Sequence, residues 1–206
     1  INILESVKLH CKHSRVFLSG SAMQFKNEGK PINESSPFEA SSAYSVARIQ
    51  SVYAARYYRS SFGLKVYTGY LFNHDSFLRT EKHVNKKITA AVNKIKNGSR
   101  QKLVLGNIDV KKEFNFAGDV VEAIWILVNQ DKIYEAIIGS GKAYSIKEWL
   151  TCCFEKNNLN WQDFVDIKKD FSPEYEILVS DPALIMSLGW QPKTSFFQLA
   201  DNMLDN

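Results

Sequence analysis

The sequence predicts an α/β fold built around a largely parallel β-sheet. Short apolar runs alternate with amphipathic helical segments as far as residue 138, which is the pattern of strands joined by helices. Beyond that point the pattern is mostly helical, which suits a small lobe packed on the sheet. We therefore expect two units, residues 1–138 and residues 139–206.

The N-terminal unit carries four predicted strands, each a short apolar run ended by glycine or polar residues. These strands are residues 14–19, 64–72, 102–105 and 134–138. The loops 26–43, 73–76 and 108–118 are polar, and the first is long enough to suggest a functional role.

Four helices are predicted in the same unit, because apolar residues recur there every three or four positions. They are residues 1–12, 43–61, 83–97 and 119–129. Gly63 and Gly98 end the second and third helices, and Asp119 is the expected N-cap of the fourth. The first helix has no start signal before Ile1, so we expect residues to be missing upstream.

The C-terminal unit carries three helix-start signals. Ser145–Glu148 is a capping box, and Ser195–Gln198 starts the last helix in the same way. Asp181–Pro182 supplies an expected N-cap and a first-turn proline for a helix that continues to Leu188.

The composition is that of a globular protein with ordinary chemistry. The 206 residues are 45% hydrophobic and 23% charged, and a net charge of +4 permits an anionic ligand without predicting nucleic acid. No apolar run reaches the length of about 20 residues that spans a membrane, and no signal peptide is visible. Cys11, Cys152 and Cys153 lack metal-ligand spacing, so we expect no metal and a reduced, cytoplasmic setting.

A candidate site follows from the predicted sheet, because ligands of such sheets sit at the carboxyl ends of the strands. Tyr44 and Arg48 share one helix face beside the first strand end, and a tyrosine next to a cation can move a proton. The Ser21 hydroxyl can hold a substrate oxygen there. The plainer alternatives are that Tyr44 is an ordinary half-buried helix residue, Arg48 a surface cation and Asn73 a turn former.

These residues resemble a known family. Ser21, Tyr44 and Arg48 match the Ser/Thr…Tyr-x-x-x-Lys motif of the extended short-chain dehydrogenases/reductases. Several further segments, in one order along the chain, are similar to the GDP-mannose 4,6-dehydratase family. They are residues 69–76, 87–91, 105–109, 180–182 and 188–190.

The resemblance implies a Rossmann-like, doubly wound parallel sheet that lacks its N-terminal strands here. It also implies a carboxyl-terminal substrate lobe, with substrate loops at about 73–118, and a homodimer or homotetramer. The implied reaction removes hydride from sugar C4, eliminates water across C5–C6 and returns the hydride to C6. By this resemblance Tyr44 is the acid/base, Ser21 orients the C4 oxygen and Arg48 supports the tyrosinate.

The same resemblance implies NADP, or NAD, as the cofactor and a nucleotide sugar, GDP-linked, as the ligand. The implied cofactor contacts are Ser19, Tyr44, Arg48 and Asn73. The implied substrate contacts are Asn73, Val84, Lys87, Leu105, Gly106 and Lys112.

Five departures from the family pattern matter. The glycine-rich dinucleotide fingerprint is absent, and we expect it upstream of Ile1. Met23 stands at the family's catalytic Glu, Arg48 at its Lys and Lys112 at a diphosphate-binding Arg, and a later Arg near residues 171–173 is lost.

A thioether cannot act as a base, and general base catalysis commonly contributes about 10²–10⁴-fold, so the C5 step should be badly impaired. The sequence therefore favours a 4-dehydrogenase or 4-ketosugar reductase over a dehydratase. The alternative is a catalytically weak or inactive paralogue that acts as a nucleotide-binding regulatory or structural subunit.

Overall fold

A computed structural model describes residues 1–168 and 170–205 of the chain. Its helices are α1 (Asn2–His10), α2 (Ala43–Phe62), α3 (Val84–Lys96), α4 (Ala117–Val128), α5 (Ile146–Glu155), α6 (Ala183–Ser187) and α7 (Phe196–Leu204). Its strands are β1 (Arg15–Ser21), β2 (Lys65–Leu71), β3 (His74–Asp75), β4 (Leu103–Leu105), β5 (Lys111–Glu113), β6 (Asn115–Phe116), β7 (Glu135–Ile138), β8 (Ala143–Ser145), β9 (Val165–Ile167) and β10 (Ile177–Leu178).

The main sheet is parallel, with the strand order β1-β2-β7. Helices join its strands, and α2 and α4 pack against it. The predicted α/β class is therefore confirmed, because the apolar runs on these strands form the centre of the protein. Tyr67, Ala136 and Ile138 are fully buried there beside residues of α4.

A second core joins elements from both predicted units. The apolar stripe of α3, at Ile88, Val92 and Ile95, packs against α5 and α7. Trp149 of α5 is fully buried in this cluster. The boundary at residue 138 stays a prediction, and this core places α3 and β4 with the C-terminal helices.

Two predicted helix starts are wrong. The fourth helix begins at Ala117 with Phe116 as its N-cap, because the Asp119 carboxylate instead accepts hydrogen bonds from the backbone N–H groups of Lys193 and Thr194. Pro182, and not Asp181, occupies the N-cap position of α6. The capping boxes at Ser145 and Ser195 are confirmed.

The predicted polar loop at 108–118 is also wrong, because it contains β5 and β6. These strands pair with β8, β10 and β3, which the sequence analysis did not predict either. Strands of two or three residues have no readable periodicity. The first strand also continues through Gly20 to Ser21, two residues beyond its predicted end at Ser19.

Candidate active site

A cavity of about 360 Å³, which we call the Tyr44 cavity, lies at the carboxyl ends of β1 and β2. It gathers all the residues that the sequence analysis assigned to catalysis and to the cofactor. These are Ser19, Ser21, Met23, Tyr44, Arg48 and Asn73. Their roles stay predictions, but their position at one edge of the parallel sheet is where ligands of such sheets bind.

Ser21 is held by a tight turn at the end of β1. Its Oγ accepts a hydrogen bond from the Met23 N–H at 3.2 Å, and its own N–H donates to Gln24 Oε1 at 2.8 Å. This is a capping box, and the Ser-x-x-Gln spacing was the signal for it in the sequence. Because the Ser21 hydroxyl serves the backbone only as an acceptor, its hydrogen can be donated to a ligand oxygen.

Tyr44 and Arg48 lie one turn apart at the start of α2, which Ser42 caps. The Tyr44 side chain is half exposed, so its hydroxyl is open to a ligand. Arg48 Nη1 donates to Ser19 O at 2.6 Å and to Ser19 Oγ at 2.7 Å. The Arg48 guanidinium lies 5.0 Å from the centre of the Tyr44 ring, which places a fixed positive charge beside the phenol.

Met23 follows Ser21 in the same turn and lines the Tyr44 cavity. Among the described residues, none that lines this cavity carries a carboxylate. Four glutamates, including Glu39 and Glu174, line a neighbouring cavity that also has Met23 in its wall. The position that the sequence analysis assigned to the family's carboxylate base therefore holds a thioether, and the described wall of the cavity offers no substitute carboxylate.

The sequence analysis assigned no role to Arg79 or His74, yet both line the Tyr44 cavity. Arg79 Nε donates to Asp75 Oδ1 at 2.6 Å, and Arg79 Nη2 donates to the backbone oxygen of His74. The buried Asp75 carboxylate fixes this second cation in place. The one sequence signal for a role of Arg79 in the site is its position shortly after the end of a strand.

A second cavity of about 370 Å³, the Lys112 cavity, gathers the predicted substrate contacts other than Asn73. These are Val84, Lys87, Leu105, Gly106 and Lys112. Phe171 lies directly over Gly106, since a Cβ at Gly106 would be 2.6 Å from Phe171 Cγ. The close approach of this ring explains the glycine and gives the cavity an aromatic wall.

Lys112 is a buried cation, and its ammonium donates no hydrogen bond within residues 1–168 and 170–205. Burial lowers the pKa of Lys112 to about 8. The nearby Asp75 carboxylate opposes this lowering of the pKa, and the Arg79 guanidinium adds to it. Its ammonium lies 5.3 Å from the centre of the Phe114 ring. Asp75 is already paired with Arg79, and Lys112 forms no ion pair of its own with the described residues, so its ammonium is suited to a phosphate of a ligand.

The structural comparisons show the fold. The chain matches the structure of RMD from Pseudomonas aeruginosa, complexed with NADPH, with a TM-score of 0.89 at 19% identity, over 99% of this chain and 70% of that one. It matches a UDP-glucose 4-epimerase from Thermus thermophilus, in complex with NAD, with a TM-score of 0.83 at 19% identity, over 99% of this chain and 67% of that one. These likenesses show that the fold is Rossmann-like.

The sequence comparisons define the family. A family model described as GDP-mannose 4,6 dehydratase matches residues 1–203. GDP-mannose 4,6 dehydratase 1 of Arabidopsis thaliana is 35% identical over 212 aligned positions, which cover the whole of this chain and 59% of that protein. The chain therefore belongs to the GDP-mannose 4,6-dehydratase family, and it spans about three-fifths of the length of this relative.

Within the described residues, no helix is long and apolar enough to cross a membrane. The same residues contain no cluster of three or more His, Cys, Asp or Glu side chains that could hold a metal ion.

Proposed function

We propose that this protein is a nucleotide-sugar dehydrogenase/reductase that transfers hydride at sugar C4, with the dehydration step impaired. The observation that carries the proposal is the meeting of Ser21, Tyr44 and Arg48 in one cavity whose described wall has no carboxylate. The Lys112 cavity supports a nucleotide ligand, because its wall combines the Phe171 ring with the buried Lys112 side chain, which forms no ion pair with the described residues.

The Tyr44 cavity fits a nicotinamide cofactor, since two cations and an amide line it. Arg48, Arg79 and Asn73 would hold NADP or NAD together with Ser19 and Tyr44. When bound, the nicotinamide would accept hydride from C4 or return it. The matched solved structures, whose titles state NADPH or NAD, support this cofactor class.

The side chains of this cavity would handle the proton and the oxygen at C4. In the oxidation direction the Tyr44 oxygen takes the C4 hydroxyl proton as hydride leaves the same carbon, which makes a ketone. The Ser21 hydroxyl donates a hydrogen bond to the C4 oxygen. Arg48 stabilises the tyrosinate by its charge but cannot relay the proton, because a guanidinium stays protonated.

The ligand we propose is a GDP-linked sugar in the reduced, cytoplasmic compartment, to which the three free cysteines are suited. Val84, Lys87, Leu105 and Gly106 would contact the nucleotide, and Lys112 its phosphates. We also propose a homodimer or homotetramer. The exposed aromatic side chains Tyr53 and Tyr57 on α2 support an interface there.

A coenzyme assay tests the proposal. The protein is given NADP with GDP-mannose, or NADPH with the 4-keto product of that sugar, and the absorbance of the reduced coenzyme is followed. Tyr44→Phe should lower the rate by about 10²–10⁴-fold, because it removes the acid/base. Tyr53→Phe, on an exposed part of the same helix, is the matched control and should leave the rate unchanged.

A second candidate is a nucleotide-binding subunit with little or no turnover. Two observations favour it: the hydrogen bonds that tie Arg48 to Ser19, and the thioether at the base position. In that case GDP binds with the expected stoichiometry, while no coenzyme is reduced or oxidised with any nucleotide sugar.

A further inference from the structure

A buried asparagine on α3 contacts the carboxylate that holds Arg79. Asn85 is 1% exposed, and its Nδ2 donates a hydrogen bond to Asp75 Oδ2 at 2.5 Å. The other oxygen of the same carboxylate, Oδ1, accepts from Arg79 Nε at 2.6 Å. Arg79 lines the Tyr44 cavity and Asn85 does not, so Asn85 can act on that cavity only through Asp75.

Asn85 is itself held from the side of the C-terminal helices. Its backbone oxygen accepts a hydrogen bond from Trp149 Nε1 at 3.3 Å, and Trp149 is fully buried on α5. The Trp149 ring stacks on the Phe114 ring, with the ring centres 4.9 Å apart. The residues beside Asn85 on α3, Val84 and Lys87, line the Lys112 cavity. The position of the Asn85 amide is therefore fixed by the same helix that forms the wall of the second cavity.

The Asn85 amide is only half satisfied. Its Oδ1 is buried and has no hydrogen-bond partner in the described part of the chain. An unsatisfied buried polar atom commonly costs about 1–3 kcal/mol, so this side chain is not the one that would stabilise the site best. What the amide provides is the single hydrogen bond to Asp75, and we look for its role in what that bond does to the carboxylate.

The Arg79 guanidinium keeps free donors in the Tyr44 cavity. Its Nε donates to Asp75, and its Nη2 donates to the backbone oxygen of His74. Its Nη1 donates no hydrogen bond within the described residues, so these hydrogens are open to a ligand oxygen. If Asp75 Oδ2 were free, the guanidinium could take both carboxylate oxygens as a bidentate pair and turn from its present orientation.

We propose that Asn85 is a positioning residue for the cofactor. By occupying Asp75 Oδ2, it leaves only Oδ1 to Arg79 and so keeps the Arg79 Nη1 donors directed at the ligand of the Tyr44 cavity. The inference rests on the proposed function, because that ligand is the NADP or NAD proposed above. It adds a residue that lies outside both cavities, on the helix whose neighbouring side chains line the Lys112 cavity.

A double-mutant cycle on NADPH binding tests the proposal. Asn85→Leu keeps the size of the side chain and removes the donor, so it should weaken NADPH binding by about five- to tenfold, the value of one hydrogen bond, while GDP affinity stays within about twofold. In an Arg79→Ala background the same change should have no further effect, because the residue through which Asn85 acts is gone. Asn93→Leu is the matched control, since Asn93 lies on the same helix, donates to Leu204 O at 3.0 Å and lines neither cavity.

A second readout does not depend on the ligand. The Arg79 Nε–H resonance, assigned with the Arg79→Ala variant, should shift in Asn85→Leu and stay in place in Asn93→Leu. If Asn85→Leu does not fold, Asn85→Ser takes its place, because it removes the same amide and leaves room for water.

The proposal is overturned if the Arg79 resonance does not move, or moves equally in the control. It is also overturned if the Asn85 variant weakens NADPH and GDP binding equally, leaves NADPH binding unchanged, or has its full effect in the Arg79→Ala background. If the wild-type protein does not bind NADPH, the proposed function fails, and the resonance alone decides whether Asn85 positions Arg79.

Discussion

Replacing the buried Lys112 ammonium by a neutral side chain should make the protein more stable while removing its affinity for nucleotides. Lys112→Met keeps a similar length and volume, and methionine fills irregular apolar space well. In the free protein Lys112 is a buried cation that forms no ion pair with the described residues, and removing its charge relieves its desolvation.

The magnitude follows from the pKa. Burial moves the Lys112 pKa from 10.5 to about 8, and each unit corresponds to about 1.36 kcal/mol. The charged form therefore costs the folded state about 3 kcal/mol at pH 7. The contact of the ammonium with the Phe114 ring offsets about 0.5–1 kcal/mol of any gain, so we expect Lys112→Met to be about 2–3 kcal/mol more stable.

The pH dependence has a definite sign. Because the folded-state pKa is lowered, the unfolded chain binds more protons at this residue between pH 8 and pH 10.5. The contribution of Lys112 to the wild-type free energy of unfolding therefore increases as the pH rises through that window. The advantage of Lys112→Met should be complete below about pH 8 and vanish near pH 10.5.

Urea unfolding at several pH values measures both effects. Lys111→Met is the matched control, since Lys111 is the exposed neighbour on the same strand and should change stability by less than about 0.5 kcal/mol. Isothermal titration with GDP gives the binding arm, where Lys112→Met should lose affinity. A variant less stable than the wild type at pH 7, or one that binds GDP equally well, would refute the reasoning.

Two further predictions concern the substituted site and the scaffold under it. The double variant Met23→Glu, Arg48→Lys should gain dehydratase activity by about 10²–10⁴-fold, measured as formation of the 6-deoxy-4-keto product, because it restores a base and a compact ammonium. Glu135→Gln should lose about 3–5 kcal/mol in urea unfolding at pH 7, because the mostly buried carboxylate pairs with Arg56 and Arg59. Burial alone would raise the pKa of Glu135, but the hydrogen bonds with these arginines outweigh it and lower the pKa from 4.5 to about 2. The loss of stability in Glu135→Gln should therefore persist above pH 4.5 and shrink as the pH falls towards 2.

Each of these predictions has a control. Ser41→Glu with Arg48→Lys adds a carboxylate that faces the neighbouring cavity instead of the Tyr44 cavity, and it should gain no dehydratase activity. For the scaffold, Glu122→Gln removes an exposed ion-pair partner of Lys193 and should cost less than about 1 kcal/mol. A Glu135→Gln deficit as small as that of Glu122→Gln would contradict the buried network.

Local signals in the sequence were enough to place the long elements and to select the residues that line the candidate site. The 3.6-residue period of α3 and the capping boxes of α5 and α7 depend on neighbours in sequence, and all three helices lie where those signals put them. Ser21, Tyr44 and Arg48 could be matched by motif, and the end of a parallel strand brings them together.

The features that the sequence did not reveal depend on contacts between distant residues. β5 and β6 are too short to show a period, and they exist because β8, β10 and β3 supply their partners. Asp119 has the residue type of an N-cap, but its carboxylate accepts hydrogen bonds from backbone N–H groups more than 70 residues away.

A labelled substrate tests the central claim most directly. GDP-mannose carrying deuterium at sugar C4 is incubated with the protein and NADP, and the products are analysed by mass spectrometry. Hydride transfer without dehydration predicts deuterium in the reduced coenzyme, together with a 4-keto sugar that retains its C6 oxygen. Deuterium at C6 of a 6-deoxy-4-keto sugar would show a complete dehydratase and contradict the claim that Met23 has disabled the C5 step.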